Sequence, residues 1–197
     1  VDNTSAEVKL FAHSGVRFVR GENPPEGWLG RNYAYERLAS EASGDLLLFL
    51  SVDTKISPQT ISKMVSFTDL RESQMLSILP TRADNYRVSV LFSTLRYYFE
   101  IIFATKKSPA SSSAAWMIKT KSLENLDRFS DFKQSISPES EIANELKKSK
   151  QKYRFLIDGR IFGVNFEKKW SSQIQTQQRK YALTFSKKPI LFMTKII

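Results

Sequence analysis

The chain has no cysteine and a single histidine, His13. The first absence excludes disulfides and thiolate-bound metals. The second would hang a histidine zinc site or a Ser-His-Asp triad on one residue, which argues against both. No uninterrupted apolar run reaches the ~18 residues a spanning helix needs. Negative charge is also short: 20 acidic side chains face 30 basic ones, a formal net charge of +10. That surplus favours polyanionic partners such as nucleic acid, nucleotide phosphates or an anionic membrane face. Nucleic acid is the least favoured, because no recognition helix, zinc knuckle or aromatic-basic strand is readable. Lys147, Lys148, Lys150 and Lys152 form a local cluster, but cations at a helix end also suit solvent and the helix dipole.

What is present fits one layered domain. Apolar residues make up 41% and charged residues 25% of the 197, near the average for globular chains and unlike disordered or polytopic membrane ones. No internal repeat or linker divides residues 1–197. Both ends read as cut, since Val1 follows no initiator or leader and Ile190–Ile197 stops inside an apolar stretch. The domain is therefore expected to be incomplete at each end.

Periodicity and breakers predict a helix over Ser5–Ala12, a strand over Val16–Val19 and a loop over Gly21–Gly27. A helix follows over Asn32–Ser43, with Tyr35, Leu38, Ala39 and Ala42 on one face and Gly44 closing it. Leu46–Leu50 is a continuous apolar run of strand length, expected to be covered on both faces. Ser57-Pro58 reads as the start of the next helix, which carries Ile61, Met64 and Val65. Gln74–Leu79 and Ala114–Lys119 read as strands, separated by an apolar helical stripe over Val88–Phe103 and a loop over Ser108–Ser113. Pro138–Lys148 is a helix capped by Ser137. Tyr153–Ile157 and Ile161–Phe166 read as a hairpin around Asp158-Gly159, and a glutamine-rich helix covers Ser171–Tyr181. Alternating strands and helices predict an α/β layered domain.

One segment is more specific. Gly27-Trp28-Leu29-Gly30-Arg31-Asn32, then Ala34, then Gly44-Asp45 running through the apolar strand into Ser51-Val52-Asp53, then Pro58, occur in fixed order and spacing. Together they resemble the family 2 glycosyltransferases of the membrane-associated type. That resemblance implies a GT-A fold: a three-layer α/β/α domain with a mixed, mostly parallel sheet. It also implies that the family's opening strand and helix, about 30 residues for a βαβ unit, are not in this sequence.

Further roles follow from the resemblance. Asp53 would hold a divalent cation, Mg2+ or Mn2+, against the diphosphate of a sugar nucleotide, beyond the carboxyl end of a strand where α/β sheets bind ligands. Val1–Ser5 resembles the strand end that holds the base, which assigns Asp2 and Asn3 to the donor, along with Arg31 on the loop before a helix. Ala114–Leu126 resembles the acceptor-side strand and helix, which places Trp116 there. Spacing to Ala143 and Leu146 puts Glu139 at the position of the catalytic base, with Glu141 the second choice. Gln177-Gln178-Arg179-Lys180-Tyr181 resembles a Gln-x-x-Arg-Trp motif and assigns Gln177, Lys180 and Tyr181 to the acceptor.

The departures are Ser51 in place of the family's first carboxylate, glutamate in place of aspartate at 139, and Lys180-Tyr181 in place of Arg-Trp. Each position also has a plainer reading. Asp53 suits a turn, Glu139 a helix N-terminus, 177–181 a solvated helix, and the 88–103 stripe core packing. The expected function is inverting transfer of a sugar from a nucleotide donor to a saccharide or lipid-linked hydroxyl, in the cytoplasm or on the cytoplasmic face of a membrane. The alternative is an impaired relative that keeps the fold for binding or assembly.

Overall fold

The computed structural model describes residues 10, 15–82, 101, 104 and 109–167. Its elements are α1 (Gly30–Glu41), β1 (Leu46–Leu50), β2 (Thr54–Ile56), α2 (Thr60–Leu70), β3 (Met75–Leu79), β4 (Thr81–Arg82), β5 (Ala115–Lys119), α3 (Thr120–Glu124), a 3-10 turn at Ser130–Phe132, α4 (Pro138–Lys148), β6 (Tyr153–Ile157) and β7 (Val164–Phe166). Four strands form one sheet in the order β1-β5-β3-β6. β5 lies antiparallel to both β1 and β3, while β3 and β6 are parallel. Three strands therefore run one way and the reversed β5 sits among them, which makes the sheet mixed as expected.

The apolar run of β1 is covered on both faces. Leu47 and Phe49 join a cluster with Trp116, Ile118, Phe129, Phe132, Ile142, Ala143 and Leu146, whereas Leu46 and Leu48 pack against Met64, Met117, Phe162 and Val164 on the other side. Helices α1 and α4 supply the first cover through Ala39, Ile142, Ala143 and Leu146, and α2 supplies the second through Met64. The result is the three-layer α/β/α arrangement. No helix among the described residues is long and apolar enough to cross a membrane.

A second sheet, β2-β7-β4, corrects the expected hairpin. β6 pairs with β3, while β7 pairs with β2 and β4, so the two strands belong to different sheets. The buried Asp158 carboxylate explains the crossover: it accepts the backbone amides of Phe162 at 2.6 Å and Val164 at 3.0 Å and turns the chain away. Gly163 completes the turn at φ +72°, where a Cβ would also stand 2.2 Å from Ser57 Oγ. Only glycine satisfies both constraints.

Smaller boundaries also move. α2 begins at Thr60 rather than Ser57, because Thr60 Oγ1 is drawn to the Phe162 carbonyl at 2.6 Å and Ser57-Pro58-Gln59 forms the lead-in turn. α1 ends at Glu41 with Ala42 extended, so Gly44 is no left-handed cap. Leu38 is 48% exposed, and the inward face of α1 is Asn32, Tyr35 and Ala39 instead. Residues 16–20 form no strand. The predicted helices over Ser5–Ala12 and Ser171–Tyr181 lie outside the described residues, as does all but Ile101 of the 88–103 stripe.

Candidate active site

β1 ends in a tight turn that presents Asp53. Ser51 N–H donates to the Ala114 carbonyl and Thr54 N–H to the Ser51 carbonyl, each at 2.9 Å. Thr54 Oγ1 donates to the same Ala114 oxygen at 2.9 Å, and the Asp53 carbonyl accepts the Glu167 amide at 2.9 Å. The turn is thus held by the start of β5 on one side and the end of β7 on the other. Ser51 and Asp53 are half-buried, and Val52 is fully exposed between them.

α1 runs back along β1, so its first turn lies at the same end of the sheet. Tyr35 marks the alignment, with its ring edge-on to Phe49 at 5.1 Å. Arg31, one turn earlier, is the second residue of the helix rather than a loop residue. Its Nη2 donates to the Ile136 carbonyl at 2.6 Å and lies 3.8 Å from Glu139 Oε2, while the guanidinium stands 5.8 Å from the centre of the Tyr35 ring.

Asn32, which closes the Gly27–Asn32 motif, has a role that the motif does not announce. It is completely buried, and its Nδ2 donates to the carbonyls of Phe132, Lys133 and Ser135 at 2.8, 3.2 and 2.9 Å. It fixes the first turn of α1 to the segment that leads into α4. A signal was available: Asn32, Tyr35 and Ala39 share one helix face, so a polar side chain there needs partners.

Glu139 and Glu141 separate clearly. Glu139 is 3% exposed at the first turn of α4, and its Oε2 has no hydrogen-bond partner among the described residues. Glu141 faces solvent. The segment 109–114 connects the two halves of the site: Ser140 Oγ donates to Pro109 O at 2.8 Å, Ser112 N–H to Ser77 Oγ at 2.8 Å, and Ala114 O anchors the Asp53 turn. Arg31, Glu139 and Asp53 are thereby brought to one end of the sheet.

Trp116 is placed differently from the expectation. It is completely buried and stacked on Phe49 at 4.1 Å, so its ring face belongs to the core and offers no surface to a sugar. The strand alternation that aims Phe49 inward aims its cross-strand partner Trp116 inward too. Asp2, Asn3, Gln177, Lys180 and Tyr181 lie outside the described residues. No group of three His, Asp or Glu side chains suited to a metal occurs among the described residues. Ser51 and Asp53 are the oxygen-bearing side chains of this turn that would hold a divalent cation, which takes one or two carboxylates together with substrate phosphates and water.

Two phenols border Glu139. Burial raises the Tyr35 pKa above its ordinary value near 10, with Arg31 opposing the shift and Glu139 reinforcing it. Burial raises Tyr153 further, opposed by the nearby Ser77 hydroxyl and reinforced by Glu139. The Tyr153 hydroxyl also donates to Ala110 O at 2.6 Å. A folded-state pKa above the unfolded one gives stability that is complete below the unfolded value and lost as pH rises past it. Chemical denaturation between about pH 9 and 12 is therefore expected to show stability falling above about pH 10, with a shallower fall in Tyr153→Phe.

Comparison with family models gives no match, and comparison with curated proteins gives none either. Among solved structures, S. aureus TarS in complex with UDP-GlcNAc matches with a TM-score of 0.51 at 17% identity, covering 86% of this chain and 47% of that one. Glucosyl-3-phosphoglycerate synthase from Mycobacterium tuberculosis, in complex with Mn2+, UDP-glucose and phosphoglyceric acid, gives a TM-score of 0.42 at 13% identity, covering 88% of this chain and 60% of that one. The chain thus spans about half the length of the first and three fifths of the second. Together with the three-layer order around a mixed sheet, the likeness to TarS identifies the fold as GT-A-like, the α/β architecture of nucleotide-sugar transferases.

Proposed function

We propose that the chain is the core of an inverting glycosyltransferase that moves a sugar from a nucleoside-diphosphate donor to an acceptor hydroxyl. The observation that carries this reading is Glu139: a buried carboxylate at a helix N-terminus, with one oxygen unpartnered among the described residues, beyond the strand end that presents Asp53. The GT-A-like fold and the UDP-GlcNAc held by TarS support the donor class. In this reading Asp53, helped by the Ser51 hydroxyl and the donor phosphates, holds a divalent cation. That cation would supply positive charge against the diphosphate as it leaves. Glu139 accepts the acceptor hydroxyl's proton while the acceptor oxygen bonds to the anomeric carbon and the bond to the diphosphate breaks. The net charge of +10 suits a saccharide or lipid-linked acceptor presented at an anionic membrane surface, on its cytoplasmic face.

A second reading, an impaired relative that binds without turnover, is favoured by Ser51, which stands where the family carries its first carboxylate. Calorimetry with UDP and GDP, with and without Mn2+, separates the two. The enzyme reading expects Mn2+ to tighten binding and Asp53→Ala to weaken the Mn2+-dependent part about tenfold or more. Binding that ignores both Mn2+ and Asp53→Ala would favour the second reading, and no nucleotide binding at all would exclude the donor-site assignment.

A further inference from the structure

Arg31 sits between two demands. Its guanidinium is the charge partner of Glu139, whose carboxylate is buried away from water. The separation of 3.8 Å is too long for a hydrogen bond, and Oε2 has no other hydrogen-bond partner among the described residues. Meanwhile the Arg31 side chain is 38% exposed and lies in the first turn of α1, at the end of the sheet where Ser51–Asp53 turns. Its hydrogen bond to Ile136 O and its position over Tyr35 fix one resting place. The 38% exposure of the side chain leaves it open to solvent, into which the guanidinium can swing about its long stem.

We propose that Arg31 is shared between the two halves of the site: it pairs with Glu139 when no donor is bound, and a nucleoside diphosphate draws it away. This rests on the transferase reading above. The pair then acts as a latch. Glu139 is neutralised while the donor site is empty and becomes the nearest uncompensated acceptor for a proton once the diphosphate has claimed the arginine. Among the described residues, the ionisable groups recorded against Glu139 are Arg31 and Tyr35 of α1 and Tyr153 of β6, and the two phenols stay neutral near pH 7. Arg31 is therefore the one cation of that set free to move with the donor. A guanidinium suits the exchange because its planar fork pairs with either carboxylate or phosphate.

Thermodynamic reciprocity makes the claim testable without a known acceptor. If Glu139 competes with diphosphate for Arg31, removing the carboxylate's charge must tighten UDP binding, and the gain must vanish without Arg31. The experiment is calorimetry of UDP with Mg2+ on the whole chain, its Arg31→Met, Glu139→Gln and doubly substituted forms, with Glu145→Gln reporting the effect of removing any one carboxylate from α4. Thermal melts confirm that each variant is folded. Glu139→Gln is expected to bind UDP roughly three- to tenfold tighter, Arg31→Met about tenfold or more weaker, and the double variant like Arg31→Met. A gain in Glu139→Gln no larger than in Glu145→Gln, or one that persists in the Arg31→Met background, overturns the latch and leaves the donor site standing. If neither UDP nor GDP binds to the unaltered chain, the transferase reading fails and the latch with it.

Discussion

Glu139→Gln is expected to lower sugar transfer by about 10²- to 10⁴-fold, the usual contribution of a positioned general base, without weakening nucleotide binding. The carboxamide keeps the shape of the buried side chain, so the loss isolates the proton acceptor from packing. Glu139→Asp is the informative companion. It retains the acid but withdraws it by one methylene from a place set by the α4 first turn and the Arg31 contact, and should recover only part of the rate. The readout is UDP release from UDP-GlcNAc or UDP-glucose with candidate acceptors, alongside calorimetry of UDP. If Glu139→Gln transferred at the unaltered rate, Glu139 would be a helix-terminus residue and the mechanism above would be wrong.

Asp158→Ala is expected to destabilise the fold by about 3–5 kcal/mol, since two buried amides lose their acceptor and each orphaned group costs roughly 1–3 kcal/mol. For a domain of this size the melting midpoint should fall by about 8–15 °C. The loss concentrates where Asp158 acts, at the Phe162 and Val164 amides and the Thr81 hydroxyl, which donates to Oδ2 at 3.4 Å. Asp158→Asn should recover little, because its one carbonyl oxygen can serve one amide while its NH2 faces the other. Urea unfolding of the three proteins checks this. A destabilisation below about 1 kcal/mol for Asp158→Ala would mean that water replaces the carboxylate and that the crossover is held by Gly163 and β7 pairing instead.

Local sequence was informative where local physics decides. The Leu46–Leu50 run reads as a strand covered on both faces, and it is, although it pairs with β5 alone and lies at the edge of the described sheet. Pro138 at the first turn and the apolar positions Ile142, Ala143 and Leu146 define α4 with the same limits in sequence and structure. Other features depend on partners far along the chain. Asp158-Gly159 carries a hairpin signal, yet the carboxylate captures amides four and six residues on and sends β7 to another sheet. Trp116, which the resemblance assigns to the acceptor side, lies in the core because its cross-strand partner Phe49 turns inward with it.

The sequence by itself determined the layered α/β class, the doubly covered strand β1 and the position of Asp53 at its end, because run length, breakers and spacing are properties of neighbouring residues. Tertiary structure alone decided that Glu139 is buried and Glu141 is not. It also decided that Arg31 reaches across 108 positions to Glu139, and that Asn32 holds α1 against the chain 100 to 103 residues away. Burial and charge pairing at such separations depend on which elements the sheet order brings together, and no local pattern encodes that order.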